Sequence, residues 1–85
     1  NDEGLKALSA RVVRAAPSLQ IAHLMRGVVL SGQYDAWEAR PRSAAELMEA
    51  AACFDRASAL SPAPAVKAAV ALCAGSCRSQ AEAMY

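Results

Sequence analysis

Eighty-five residues make one small domain and exclude an enzyme with separate cofactor and substrate lobes. Apolar residues account for 55%, but 22 of them are alanine, whereas leucine, isoleucine, valine and phenylalanine together number 16. Nine basic and eight acidic side chains leave a net charge of only +1, which argues against a charge-driven disordered chain and provides no field to attract nucleic acid.

Alanine combines top helix propensity with little burial area, and the β-branched and aromatic residues that build strands are scarce. Composition therefore predicts an all-α, thinly cored domain that relies on its neighbours. The longest uncharged apolar run, residues 68–74 between Lys67 and Arg78, falls far short of the roughly 20 residues that cross a bilayer, so no membrane span is expected. The opening Asn1-Asp2-Glu3-Gly4 has neither the basic start nor the apolar run of a signal peptide, and the chain reads as a piece of a longer protein. Three cysteines cannot pair completely, which favours a reducing intracellular compartment.

Asp2 is placed to cap a first helix over about 3–15, with Leu5, Leu8, Val12 and Ala15 along one stripe. Pro17 stands where a second helix, about 18–31, can begin; Ile21, Leu24, Met25 and Val28 form its apolar stripe, and it ends near Ser31-Gly32. Residues 33–40 hold one or two helical turns at most before Pro41. Ser43 followed by Glu46 is a reciprocal capping box that opens a third helix, which carries Leu47, Ala50, Ala51, Phe54 and Ala57 and stops at Ser61-Pro62. A last helix spans about 63–82, with Val66, Ala69, Val70, Cys73 and Cys77 on one side; Gly75 within it costs about 1 kcal/mol relative to alanine and offers a point of breakage.

Two stretches, Val12 to Pro17 and Ala57 to Pro62, place a small or medium apolar residue five before a helix-opening proline. Ala50, Phe54, Ala57 and Pro62 match the second-helix half of the pattern A-x3-F, A, P, and Gly27 with Leu30 matches part of the first-helix half. In these residues the chain resembles the tetratricopeptide repeat. Small residues at Gly27, Ala50 and Ala57 would let two helices approach closely while Phe54 fills the remaining gap. The repeat-like unit covers about 18–61, and Pro17 to Pro62 spans 45 residues where the family repeat has about 34. That excess places an insertion at about 33–43, holding Tyr34, Trp37, Arg40, Pro41 and Arg42; an alternative alignment uses Gly32 to Asp35 as the inter-helix turn and begins the insertion after Trp37. The resemblance implies four to five antiparallel helices in a stack and binding of proteins or peptides without catalysis.

No chemical constellation competes with that reading. Cys73 and Cys77 share one helix face and Cys53 lies on the preceding helix, but His23 is the single histidine and no Cys-x2-Cys knuckle is present to hold zinc. Buried cysteine as a small hydrophobe accounts for all three. His23 has no acidic or thiol partner at a spacing that makes a catalytic pair, and Gly27, Gly32 and Gly75 are too scattered for a phosphate loop. No reaction and no cofactor are implied. The aromatic and arginine cluster of Tyr34, Trp37, Arg40 and Arg42 has the composition of an interface anchor, or of a plug between helices. Ile21, Leu24 and Val28 offer an apolar face where many repeats of this kind carry polar residues. Sequence thus predicts a non-catalytic interaction or assembly-scaffold module meeting an apolar protein surface through Ile21, Leu24, Val28, Tyr34, Trp37, Arg40 and Arg42. A structural subunit embedded in a large complex is the alternative, and a thiol or metal protein a more distant one.

Overall fold

The computed structural model describes residues 2–33 and 41–84. Four helices follow one another among them: α1 Asp2–Ala15, α2 Gln20–Ser31, α3 Ala44–Leu60 and α4 Pro64–Glu82. The chain is all-α, each helix packing on its sequence neighbour, with α3 against α4 and α2 against α3 more extensively than α1 against α2.

Local sequence chemistry sets most helix ends. The capping box at α3 is formed: Ser43 Oγ accepts from the Glu46 amide at 3.1 Å, and the Ser43 amide donates to Glu46 Oε1 at 3.1 Å. Helix α2 ends on Gly32 in the left-handed region (φ 74°), where the Gly32 amide donates to the Val29 carbonyl and the Gln33 amide to the Val28 carbonyl. This pairing is a Schellman cap, and it needs the conformational freedom of glycine. The start of α2 lies two residues later than expected, and that of α4 falls within one residue of the expected position. Pro17 sits in a turn, and α2 begins at Gln20 after an extended Leu19; α4 begins at Pro64, the first-turn position that suits a residue without an amide proton. Helix α4 runs unbroken through Gly75.

The core lies between α2, α3 and α4. Leu30, Ala50, Ala51, Phe54, Ala57, Val70, Ala74 and Cys77 form one buried cluster, with Leu24, Val28, Cys53 and Cys73 packed at its margin. Burying Phe54, which is 1% exposed, contributes about 1.5–3 kcal/mol, and the alanines around it let the helix axes close in. The tightest approach is at Gly27, where a Cβ would lie 2.8 Å from Phe54 Cε1. His23 is buried too, one ring nitrogen 2.7 Å from the Pro17 carbonyl oxygen, so it pins the α1–α2 turn. Gln20 donates to Ser61 Oγ, whose hydroxyl donates to the Ala57 carbonyl, tying the start of α2 to the end of α3.

Helix α1 is held differently. Its buried residues are Asp2 and Ser9, and both face polar partners. The Asp2 carboxylate meets the Arg42 guanidinium through two bonds of 2.7 and 2.9 Å. Lys6 reaches Glu46 at 2.6 Å and Asp2 at 3.7 Å. Arg26 of α2 donates to the Lys6 carbonyl and to Ser9 Oγ, both at 3.0 Å, and pairs with Glu49 at 2.6 Å. The sequence places Asp2 as a cap ahead of the helix; in the structure it stands in the first helical turn, its carboxylate drawn to the buried arginine.

Candidate functional site

Helical geometry decides where the apolar residues of α1 go. Asp2, Lys6 and Ser9 mark the docked face, and at about 100° per residue the stripe of Leu5, Leu8, Val12 and Ala15 is centred about 100° away from it. That stripe is therefore turned sideways from the docked face. Leu5 and Val12 are half-buried, while Leu8 is 44% exposed.

Helix α2 presents a matching row. Its face toward α3 carries His23, Gly27 and Leu30, and its flank toward α1 carries Ala22, Arg26 and Val29 at i, i+4 and i+7. Ile21, Leu24, Met25 and Val28 remain on the third side. Between this row and Leu5 of α1 lies an open groove of about 400 Å³, lined among the described residues by Leu5, Ile21, Leu24, Met25, Val28 and Val29, which turn only apolar surface toward it. Leu24 and Val28 lean on the core and form the floor with Val29, which is only 9% exposed. Ile21 and Met25, 47% and 45% exposed, form the lip.

Three residues expected at a partner surface, Ile21, Leu24 and Val28, thus come together in one groove. Tyr34, Trp37 and Arg40 lie outside the described residues, as does most of the expected insertion. Arg42 stands apart. Its side chain is 4% exposed, paired with Asp2, and its Nε and Nη2 donate to the Leu30 and Val29 carbonyls at 3.0 and 2.8 Å. Arg42 therefore ties α1 to the end of α2, with its charge buried against Asp2. The positive charge at the C-terminal end of α2 also suits the helix dipole. Leu5, Met25 and Val29 line the groove without having been expected there. Met25 was legible from its place in the α2 stripe; Leu5 depends on how α1 is rotated, which no local pattern specifies.

The groove's chemistry is simple. Its described lining residues offer no hydrogen-bonding group to orient a small polar molecule, and what they can do is take apolar side chains out of water. Burial pushes the thiols of Cys53 and Cys77 up from their ordinary value, which keeps them protonated and poorly nucleophilic. Among the described residues no three His, Cys, Asp or Glu side chains gather as a metal-holding group, and no helix is long and apolar enough to cross a membrane. No protein-family model matches this sequence, and neither curated proteins nor solved structures gave a match.

Proposed function

We propose that this chain is a non-catalytic protein–protein interaction module that docks an apolar segment of a partner protein in the groove between α1 and α2. The observation that carries the reading is the groove itself, a surface concavity whose described lining residues are all apolar and whose lip residues are nearly half exposed. Its row of Ile21, Leu24, Met25 and Val28 has the i, i+3, i+4, i+7 spacing by which helices present apolar side chains to one another. The test is co-purification from cells that make the protein, followed by binding of the purified partner to wild-type and Ile21→Asp/Met25→Asp chains. Loss of at least about tenfold in affinity, with circular dichroism unchanged, supports the reading; equal affinity rejects it.

The resemblance to a lengthened tetratricopeptide unit is part of this proposal. It rests on the sequence pattern of Ala50, Phe54, Ala57 and Pro62, with Gly27 and Leu30 in the preceding helix.

A second reading, an accessory subunit embedded in a large complex, is favoured by a separate observation. Large apolar side chains are exposed away from the groove as well: Met48 on α3, Val66 on α4, and Leu72 at 76%. Behaviour alone in solution separates the two. A docking module stays monomeric and cooperatively folded, whereas an embedded subunit aggregates or melts without a sharp transition.

A further inference from the structure

The helices are held by two different kinds of force. Helices α2, α3 and α4 share an apolar core, whereas the fully buried residues of α1 are Asp2 and Ser9, its apolar Leu5, Ala10, Val12 and Val13 are only partly buried, and its packing on α2 is the least extensive of the three helix pairs. Its attachments are Asp2 with Arg42, Lys6 with Glu46, and the Arg26 guanidinium on the Lys6 carbonyl and Ser9 hydroxyl. Apolar burial is the main favourable contribution to folding, and polar seams of this kind give little net stability beyond satisfying one another. Helix α1 is thus the least firmly attached unit of the fold. It also lies over something apolar. Ala22 and Val29, on the α2 flank that Arg26 shares, are 0% and 9% exposed, and they adjoin Met25, which sits three residues after Ala22 and four before Val29.

We propose that α1 is a detachable strap: it undocks as a unit while α2, α3 and α4 stay folded, and its departure widens the groove into a continuous apolar face of α2 that includes Ala22 and Val29. Charge holds the strap in place and the apolar face lies beneath, so its docking and the entry of a bulky apolar partner compete. The competition rests on the proposed docking role; the undocking does not, and it is tested without a partner.

The experiment is residue-resolved amide hydrogen exchange on the whole 85-residue chain, with the wild type at low and high sodium chloride and with Asp2→Asn and Arg78→Gln variants. Arg78 pairs with Asp55 between α4 and α3, far from the strap in the order of packing, and serves as the control. Amides in α1 should exchange at least about tenfold faster than those around Phe54, corrected for intrinsic rates. Asp2→Asn should raise the α1 rates by about tenfold more and leave α3 and α4 within about twofold, and Arg78→Gln should leave α1 unchanged. High salt should accelerate α1 exchange in the wild type, because it screens the Lys6–Glu46 attraction while leaving apolar burial intact. If α1 exchanges at the rate of α3, or if salt and Asp2→Asn accelerate all helices together, the strap is not a separate unit and the proposal fails. Should Asp2→Asn not fold, the wild-type comparison of α1 with α3 at two salt concentrations decides alone. Failure of the docking role would show elsewhere, as unchanged partner affinity in the groove variants.

Discussion

Arg42 closes on Asp2 across forty positions of sequence, with both side chains almost fully buried and two bonds of 2.7 and 2.9 Å between them. The same guanidinium donates to the last carbonyls of α2, so one residue ties the start of α1 to the end of α2. Removing one member of a buried pair leaves the other charge out of water without compensation, which costs about 3–5 kcal/mol. Arg42→Met should therefore destabilise the chain by about that amount in urea unfolding. Asp2→Asn should cost less, about 1–3 kcal/mol, because Arg42 keeps its two carbonyl partners. Equal losses would mean that the carbonyl bonds contribute nothing.

Gly27 in α2 and Gly75 in α4 should respond in opposite directions to alanine. At Gly75 an added Cβ meets nothing within 4 Å, so Gly75→Ala gains helix propensity alone and should stabilise by about 0.5–1 kcal/mol. At Gly27 the Cβ would lie 2.8–3.0 Å from three carbons of the Phe54 ring. Overpacking of about 1–3 kcal/mol then exceeds the propensity gain, and thermal melts should show a net loss for Gly27→Ala. Shortening the ring in a Gly27→Ala/Phe54→Leu double variant should recover part of the Gly27→Ala loss relative to Phe54→Leu alone. Additive losses would show that the two sites do not touch energetically.

Stability should fall in acid through Glu46. The hydrogen bond from Lys6, followed by the backbone bond within the Ser43 capping box, holds its carboxyl below the ordinary value of 4.5. A lowered folded-state value means that the stabilisation is fully present above the unfolded-state value and is lost as pH falls through the folded one. Unfolding measured from pH 6 down to pH 2 should therefore show a loss beginning near pH 4.5. Lys6→Met should flatten that dependence, and an unchanged slope would remove Lys6 from the explanation.

The thiols should report their burial. Cys77 is buried at the α3–α4 seam and Cys53 is half-buried, both with raised thiol values, so a thiol reagent at pH 7.5 should modify them slowly in the native chain and promptly in denaturant. Rapid native modification of Cys77 would indicate that α4 opens readily.

Local features were legible in the sequence and long-range electrostatic ones were not. Ser43 and Glu46 signal a helix start because each satisfies the other's backbone within one turn, and Gly32 signals an end because its conformation excludes other residues. Phe54 with Ala50 and Ala57 could be read as a packing seam from size and spacing alone. The groove was half legible: Ile21, Leu24 and Val28 form a stripe on α2, but Leu5 joins them only because the polar side of α1 faces inward. Nothing within α1 announces that rotation, since amphipathic patterning by itself points Leu5, Leu8 and Val12 toward a core. The deciding partner is Arg42, which belongs to a different part of the chain and reads in the sequence as part of the aromatic and arginine cluster of an interface anchor.

The proposed docking role assigns the partner to the α1–α2 groove and not to the exposed apolar side chains of α3 and α4. The most direct measurement is the affinity of the purified co-purifying protein for three chains: wild type, Ile21→Asp/Met25→Asp in the groove, and Leu72→Asp on the exposed side of α4. The groove variant should lose at least about tenfold while the Leu72→Asp chain binds like wild type. Loss with Leu72→Asp and full binding by the groove variant would contradict it.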